Sequence, residues 1–128
     1  MAVKPYVLAE QAYLTDLRRH FHAHPEVSLK EYETCKKIEA ELDSMGIPHK
    51  RIGETGVYGW IDGKKAGDGV TVALRADIDA LAMDDLKEVP YHSQNQGVCH
   101  ACGHDAHTAT LLLSLIHISE PTRQEAIS

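Results

Sequence analysis

The segment of residues 99–107 constrains this chain more than any other, because nine consecutive positions contain two cysteines and three histidines. Thiolate and imidazole groups are ligands suited to zinc, manganese, cobalt or nickel. Only Gly103 separates Cys102 from His104, so a tight turn there can direct both side chains at one ion. The spacing therefore predicts Cys102 and His104 as metal ligands, with a histidine-rich surface loop as the alternative.

Two aspartates follow an apolar run, residues 70–74, which we interpret as a buried strand. In open α/β sheets, ligands bind beyond the carboxyl ends of strands, which is where Asp77 and Asp79 stand. Carboxylates at this spacing can serve a metal site, one as a ligand and one as the partner of a ligating histidine. From their spacing alone, Asp77 and Asp79 could also be solvated residues of a turn, and this is the alternative to a metal site.

The pattern along the chain indicates an α/β domain, seen only in part. Apolar periodicity predicts one helix over residues 9–22 and a second that begins at a capping box, Ser28 to Glu31, and ends at Gly46. Cys35 lies on the apolar stripe of the second helix and is expected in the core. Short strands at residues 49–52 and 57–61 precede the run at 70–74, a polar loop covers 83–98, and a helix starts near Asp105.

Composition excludes several classes of protein. The chain has 128 residues, a formal net charge of −6 and no run of basic residues, which argues against a nucleic-acid partner. It contains neither a signal peptide nor the ~20 apolar residues of a membrane span. We therefore expect a cytoplasmic protein, and interpret its three cysteines as thiols or ligands, not disulfides.

A redox pair formed by Cys99 and Cys102 is a second hypothesis, and a non-catalytic metal-binding domain is a third. A thioredoxin-like Cys-x-x-Cys motif should directly follow a strand and open a helix. Here a long polar loop precedes the pair, and the helix starts only after His104. The pattern favours metal binding over redox chemistry.

The chain resembles the aminoacylase-like metallopeptidases, in the branch that contains hippurate hydrolases, auxin-conjugate hydrolases and N-acetyldiaminopimelate deacetylases. The likeness covers about residues 14–112. Four segments carry it: residues 17–26 (LRRHFHAHPE), 54–57 (ETGV), 73–81 (ALRADIDAL) and 97–109 (GVCHACGHDAHTA). The last two are the most specific. The resemblance implies the N-terminal part of a zinc-peptidase-like catalytic domain: two helices, strands, a ligand loop and a helix.

The resemblance also implies roles for individual residues. Cys102 and His104 match two metal ligands of the family. Asp79 matches the acid of the wider family's His-x-Asp-x-x-Pro motif, which supports a ligand, and Asp77 stands where that motif has its histidine. We assign both aspartates to the catalytic site. Cys99 stands where methionine is usual. A further departure from the family's motif is Ala82, which stands in place of the motif's proline. Three other histidines are expected to have a structural role or to support the metal ligands: His22, His24 and His107.

The activity implied is hydrolysis of the amide of an N-acyl amino acid or dipeptide by two divalent ions, which activate water and polarise the carbonyl. Zinc, manganese, cobalt and nickel are the candidate metals. In the family, the glutamate base and the remaining ligands lie downstream of these motifs, so we expect the 128-residue chain to be inactive alone. A homodimer is expected for the full-length protein, with neither nucleic acid nor membrane as a partner.

Residues 113–123 differ from the rest, because they match the direct translation of a transposon-type sequencing-library adapter over eleven positions. We therefore interpret residues 1–112 as the catalytic-domain part and residues 113–128 as a foreign tail. A genuine amphipathic C-terminus is the alternative. The tail is expected to be loosely placed, and His117 is not counted as a ligand.

Overall fold

The computed structural model describes residues 2–64, Gly67 and residues 69–127, with side chains as far as Ser119. The elements are α1 (Pro5–Leu8), α2 (Gln11–Ala23), α3 (Tyr32–Met45), β1 (His49–Ile52), β2 (Gly56–Gly59) and α4 (His104–Ile127). The predicted order of two main helices, short strands, a long loop and a helix is confirmed. Among the described residues, no helix combines the length and hydropathy of a membrane-spanning segment.

The core forms where the apolar stripes of α2 and α3 meet the first turns of α4. Helical periodicity places Leu17 and Phe21 on one face of α2, and both are buried. Cys35 is fully buried on α3, so its prediction as a core residue is confirmed. The core cluster is Leu17, Phe21, Ile38, Leu42, Met45, Ile47, Ala109 and Leu112.

The start of α3 differs from the prediction. No side-chain cap forms at Glu31, and Ser28 lies outside the helix, because Leu29 turns the chain with a φ of 68°. The carboxylate of Glu26 instead accepts hydrogen bonds from backbone N–H groups in the first turn of α3. It accepts hydrogen bonds from the backbone N–H of Thr34 at 2.6 Å and of Glu33 at 3.2 Å. The capping-box prediction is therefore wrong, and the cap comes from the turn that precedes it in the chain.

The strands β1 and β2 form an antiparallel hairpin in which His49 pairs with Gly59 and Ile52 with Gly56. Both were predicted, although β2 begins one residue earlier and ends two residues earlier than expected. The hairpin packs against α3. The C-terminal signal of α3 is confirmed, since Gly46 adopts a left-handed φ of 69°.

The predicted buried strand at residues 70–74 is wrong in this structure. No strand forms there, and Val72 and Leu74 are 79% and 56% exposed. A buried strand needs hydrogen-bonded neighbours and two covered faces. The sheet found among the described residues is the β1–β2 hairpin, and it does not pair with this segment.

The segment of residues 113–119 continues α4 and packs on the core. Leu113 is buried, and Leu115 and Ile116 contact the core cluster. The His117 ring lies edge-on to Tyr6, with 5.0 Å between ring centroids. The expectation of a loosely placed tail is therefore wrong for residues 113–119, because their apolar side chains extend the buried face of α4. The boundary at residue 112 stays a prediction.

Candidate metal centre

A carboxylate–histidine pair lies at the centre of the candidate site. Nδ1 of His104, in the first turn of α4, lies 2.8 Å from Oδ1 of Asp79 and 3.1 Å from its backbone oxygen. Since both partners are acceptors, the proton belongs on Nδ1. Nε2 of His104 is thereby left with a free lone pair, the state required of a metal ligand.

Backbone pairing places Asp79 beside α4. Ala80 N donates to the oxygen of Glu26 at 2.8 Å, and Leu81 exchanges two backbone hydrogen bonds of 2.9 Å with Cys99. The hydroxyl of Thr108 donates to the backbone oxygen of Asp77 at 3.1 Å. Bonds on both sides of Asp79 therefore hold its carboxylate against the first turn of α4.

Asp77 lies on the open side of His104. Its Oδ2 is 4.0 Å from Nε2 of His104, while its Oδ1 accepts from Arg75 Nη2 at 2.7 Å. Asp77 also lines an open groove of about 620 Å³ between residues 74–77 and α4, together with His107. The groove borders the candidate site at Asp77, and His104 is not among its lining residues.

Cys102 precedes α4 and is exposed, with an unpaired thiol. Gly103 makes the turn into the helix with a φ of 95°, a conformation that favours glycine. The structure therefore brings together His104, Asp79 and Asp77, and presents Cys102 at the start of the same helix. His107 lies 6.0 Å from His104 between ring centroids, which is a neighbouring position and not a shared hydrogen bond.

The geometry does not support a Cys99–Cys102 redox pair. Cys99 is buried and Cys102 is exposed, and both are free thiols. Burial raises the pKa of the Cys99 thiol, and nearby Asp85 acts in the same direction. Redox-active thiols have a lowered pKa, so this environment opposes that role.

A buried polar network beside the site was missed by sequence reasoning. His22 Nδ1 lies 2.7 Å from Oδ2 of Asp105, and Arg18 Nε lies 3.0 Å from the same oxygen. Asp85 reaches the network from the polar loop. Arg18, His22 and Asp105 lie in the segments that carry the family resemblance, which could have indicated their importance. No sequence feature indicated that Asp85 belongs to this network. The supporting role expected of His22 agrees with this contact.

His100 lies buried between the two groups of polar residues. Burial lowers the pKa of the His100 ring. Neither ring nitrogen has a hydrogen-bond partner in the described part of the chain. His24, by contrast, is exposed and bonds to the backbone oxygen of His20 at 2.8 Å.

Comparison with known proteins shows that this chain is similar to one family of peptidases. Residues 73–126 match the model of peptidase family M20/M25/M40. An uncharacterized hydrolase of Staphylococcus aureus (strain bovine RF122 / ET3-1) is 49% identical over 104 residues, which are 81% of this chain and 26% of the relative. The chain is therefore related to the M20/M25/M40 peptidases. An uncharacterized hydrolase of Staphylococcus saprophyticus is 45% identical over 83% of the chain and 27% of its own length.

Solved structures support the same relationship to the M20/M25/M40 peptidases. The Bacillus subtilis YXEP protein, described as a dinuclear metal binding peptidase from the M20 family, has a TM-score of 0.83 at 38% identity, over 89% of this chain and 32% of that one. A putative aminohydrolase from methicillin-resistant S. aureus also has a TM-score of 0.83, at 37% sequence identity. The match covers 90% of this chain and 30% of that one. The predicted fold class is confirmed, and the chain spans about a quarter of the length of its curated relatives.

The family match extends over positions 113–126, which the sequence interpretation assigned to a foreign tail. A match by family model does not identify the origin of a segment, so that assignment stays a prediction.

Proposed function

We propose that the full-length protein is a metal-dependent amidohydrolase that cleaves the amide of N-acyl amino acids or dipeptides. The observation that carries this proposal is the hydrogen bond of 2.8 Å between Asp79 and Nδ1 of His104, because it leaves the other ring nitrogen free beside Asp77. The exposed thiol of Cys102 stands two residues away in sequence.

The residues present fit a divalent cation. They supply a thiolate, an imidazole and a carboxylate, the donor types that bind zinc and related metals. Zinc, manganese, cobalt or nickel are the candidates, and the dinuclear relative from B. subtilis supports two ions. Bound ions lower the pKa of a water molecule and polarise the scissile carbonyl.

Each residue of this chain has a distinct part in that scheme. Cys102 and His104 are the proposed ligands, and Asp79 fixes the orientation and tautomer of the His104 ring. Asp77 lies 4.0 Å from His104 Nε2, close enough to contact the same ion or a water on it after a small side-chain movement. We assign the general base and the remaining ligands to sequence outside these 128 residues.

Other predictions from the sequence remain part of the proposal. They are a cytoplasmic location, a small-molecule substrate, a homodimer of the full-length protein, and neither a nucleic-acid nor a membrane partner. We also propose that residues 113–128 are foreign, and the uninterrupted gene sequence beyond Leu112 tests that directly. A continuation unlike residues 113–128 is expected, and an identical one would refute it.

The test of function uses the product of the uninterrupted gene. It is loaded with zinc, manganese or cobalt and assayed against a panel of N-acyl amino acids and dipeptides, with metal content measured in parallel. We expect Cys102→Ala and His104→Ala each to abolish turnover and lower the metal content. His92→Gln, at an exposed histidine of the polar loop, is the control and should leave turnover and metal content unchanged. Full activity and metal in both alanine variants would refute the assignment.

A further inference from the structure

A second cluster of ligand-type atoms lies in the interior, around His22, Asp85 and Cys99. One ligand atom from each of them falls within 4.8 Å of the other two. Nε2 of His22 is 3.3 Å from Oδ2 of Asp85, and their side chains are 1% and 2% exposed. Cys99 is also buried. The cluster therefore combines nitrogen, oxygen and sulfur donors away from solvent.

The ring of His22 is set for a ligand in this cluster. Its Nδ1 donates to Oδ2 of Asp105 at 2.7 Å, and Arg18 holds the same oxygen at 3.0 Å. In the tautomer with its proton on Nδ1, Nε2 offers a lone pair to a ligand. Nε2 is fully buried and makes no hydrogen bond in the described structure, and its polar neighbour is Asp85 at 3.3 Å, itself a candidate ligand. The pair of Asp105 and His22 repeats the relationship between Asp79 and His104.

We propose that His22, Asp85 and Cys99 form a second cation site, specific for a borderline divalent ion such as Zn²⁺ or Co²⁺ and separate from Cys102 and His104. A tetrahedral ion with bonds of about 2.0–2.3 Å brings its ligand atoms to about 3.3–3.8 Å from one another. His22 and Asp85 already have that separation, so an ion requires only a small movement of Cys99.

Lys87 occupies the edge of this site and competes with the cation. Its Nζ lies 2.6 Å from Oδ1 of Asp85 and 3.9 Å from Sγ of Cys99, and its side chain is 45% exposed. On binding, the Cys99 thiol gives its proton to solvent, sulfur bonds to the ion, and the ammonium swings into water. The two negative charges of one thiolate and one carboxylate balance the charge of a divalent cation. The Lys87 ammonium is then not required to neutralise Asp85.

The site links the loop that follows Asp79 to α2. Asp85 belongs to the polar loop and Cys99 directly follows that loop, whereas His22 belongs to α2. A bound cation therefore fixes the segment that leads into Cys102. Its expected role is structural, because its ligands are buried away from solvent and substrate.

The experiment uses the 128-residue chain carrying Cys102→Ala and His104→Ala, so that the proposed catalytic ligands are absent. Cobalt(II) chloride is titrated alone, and the near-ultraviolet thiolate-to-cobalt charge-transfer band is recorded. We expect one equivalent of cobalt and a band that Cys99→Ser abolishes. His22→Gln should weaken the affinity roughly tenfold or more, and Lys87→Met should strengthen it.

Cys35→Ala is the matched control and should keep the band, since Cys35 is a buried thiol outside the ligand cluster found among the described residues. Far-ultraviolet circular dichroism checks folding of each variant. No band in the starting variant, or a band that survives Cys99→Ser, overturns the proposal. If Cys99→Ser does not fold, Asp85→Asn decides: a weaker cobalt affinity supports the site, and an unchanged one overturns it.

Discussion

Asp79 accepts a hydrogen bond of 2.8 Å from Nδ1 of His104, across 25 positions of the chain. Backbone bonds at Ala80 and Leu81 fix the aspartate from one side, and the first turn of α4 fixes the histidine from the other. The pair is therefore a property of the fold. Such carboxylate–histidine pairs orient a ligand and raise its basicity.

Asp79→Asn should weaken metal binding at Cys102 and His104 by about 10–100-fold while leaving the fold intact. An amide keeps the size of the side chain but lacks the negative charge that raises the basicity of the ring. Cobalt affinity, measured in a Cys99→Ala chain, checks this. Asp62→Asn, at an exposed aspartate, is the control. Equal cobalt affinities in Asp79→Asn and Asp62→Asn would show that Asp79 is a solvated turn residue without a role in metal binding.

Glu26→Ala should lower the free energy of unfolding by roughly 1–2 kcal/mol, the usual cost of losing a helix cap. The carboxylate of Glu26 accepts three hydrogen bonds, two from backbone N–H groups of α3 and one from the hydroxyl of Thr34. Urea denaturation measures the change.

Glu33→Ala is the matched control for that variant. Glu33 pairs with Lys36 on the surface, where both side chains are about two-thirds exposed, so the pair contributes about 0.5 kcal/mol or less. If the two alanine variants lose the same stability, Glu26 is not the cap of α3.

Asp85 should make the chain sensitive to acid. The hydrogen bond from the Lys87 ammonium holds the pKa of Asp85 below its ordinary value of 3.8, although burial acts in the opposite direction, and the backbone N–H of Ser93 adds to the lowering. Because the pKa is lower in the folded chain than in the unfolded one, this stabilisation is present above the unfolded-state pKa. It is lost as the pH falls from about 4 through the folded-state pKa.

The test of that acid sensitivity is the free energy of unfolding measured at about pH 5 and about pH 3. Asp85→Asn should show a smaller loss between the two pH values than the unaltered chain. Asp84→Asn, at the exposed neighbouring residue, should behave like the unaltered chain. A loss of the same size in Asp85→Asn would show that another group carries the acid dependence.

The 128-residue chain should show no hydrolase activity. At the candidate centre, the described residues contribute Cys102, His104 and the two aspartates, whereas a dinuclear catalytic site needs several more ligands and a general base. The assay adds zinc, manganese or cobalt to the chain with a panel of N-acyl amino acids. Metal-dependent turnover above that of a Cys102→Ala control would contradict this account.

The helices and the ligand segment could be predicted because their signals are local. Apolar spacing identified α2 and α3, and the closeness of Cys102 to His104 in the sequence indicated the candidate site. The capping of α3 by Glu26 and the pairing of His22 with Asp105 depend on contacts between distant parts of the chain, which no local pattern encodes. The run at residues 70–74 had the composition of a strand, but composition does not supply the neighbouring strands that pairing requires.

The most direct test of the central claim is a cobalt titration of the 128-residue chain carrying Cys99→Ala, which removes the thiol of the second proposed site. Cys35 is retained in every variant, so its buried thiol cannot explain a difference between them. The account predicts a thiolate-to-cobalt band at one equivalent of metal, lost with Cys102→Ala and weakened with His104→Ala. A band that is absent, or one that persists unchanged without Cys102, would contradict it.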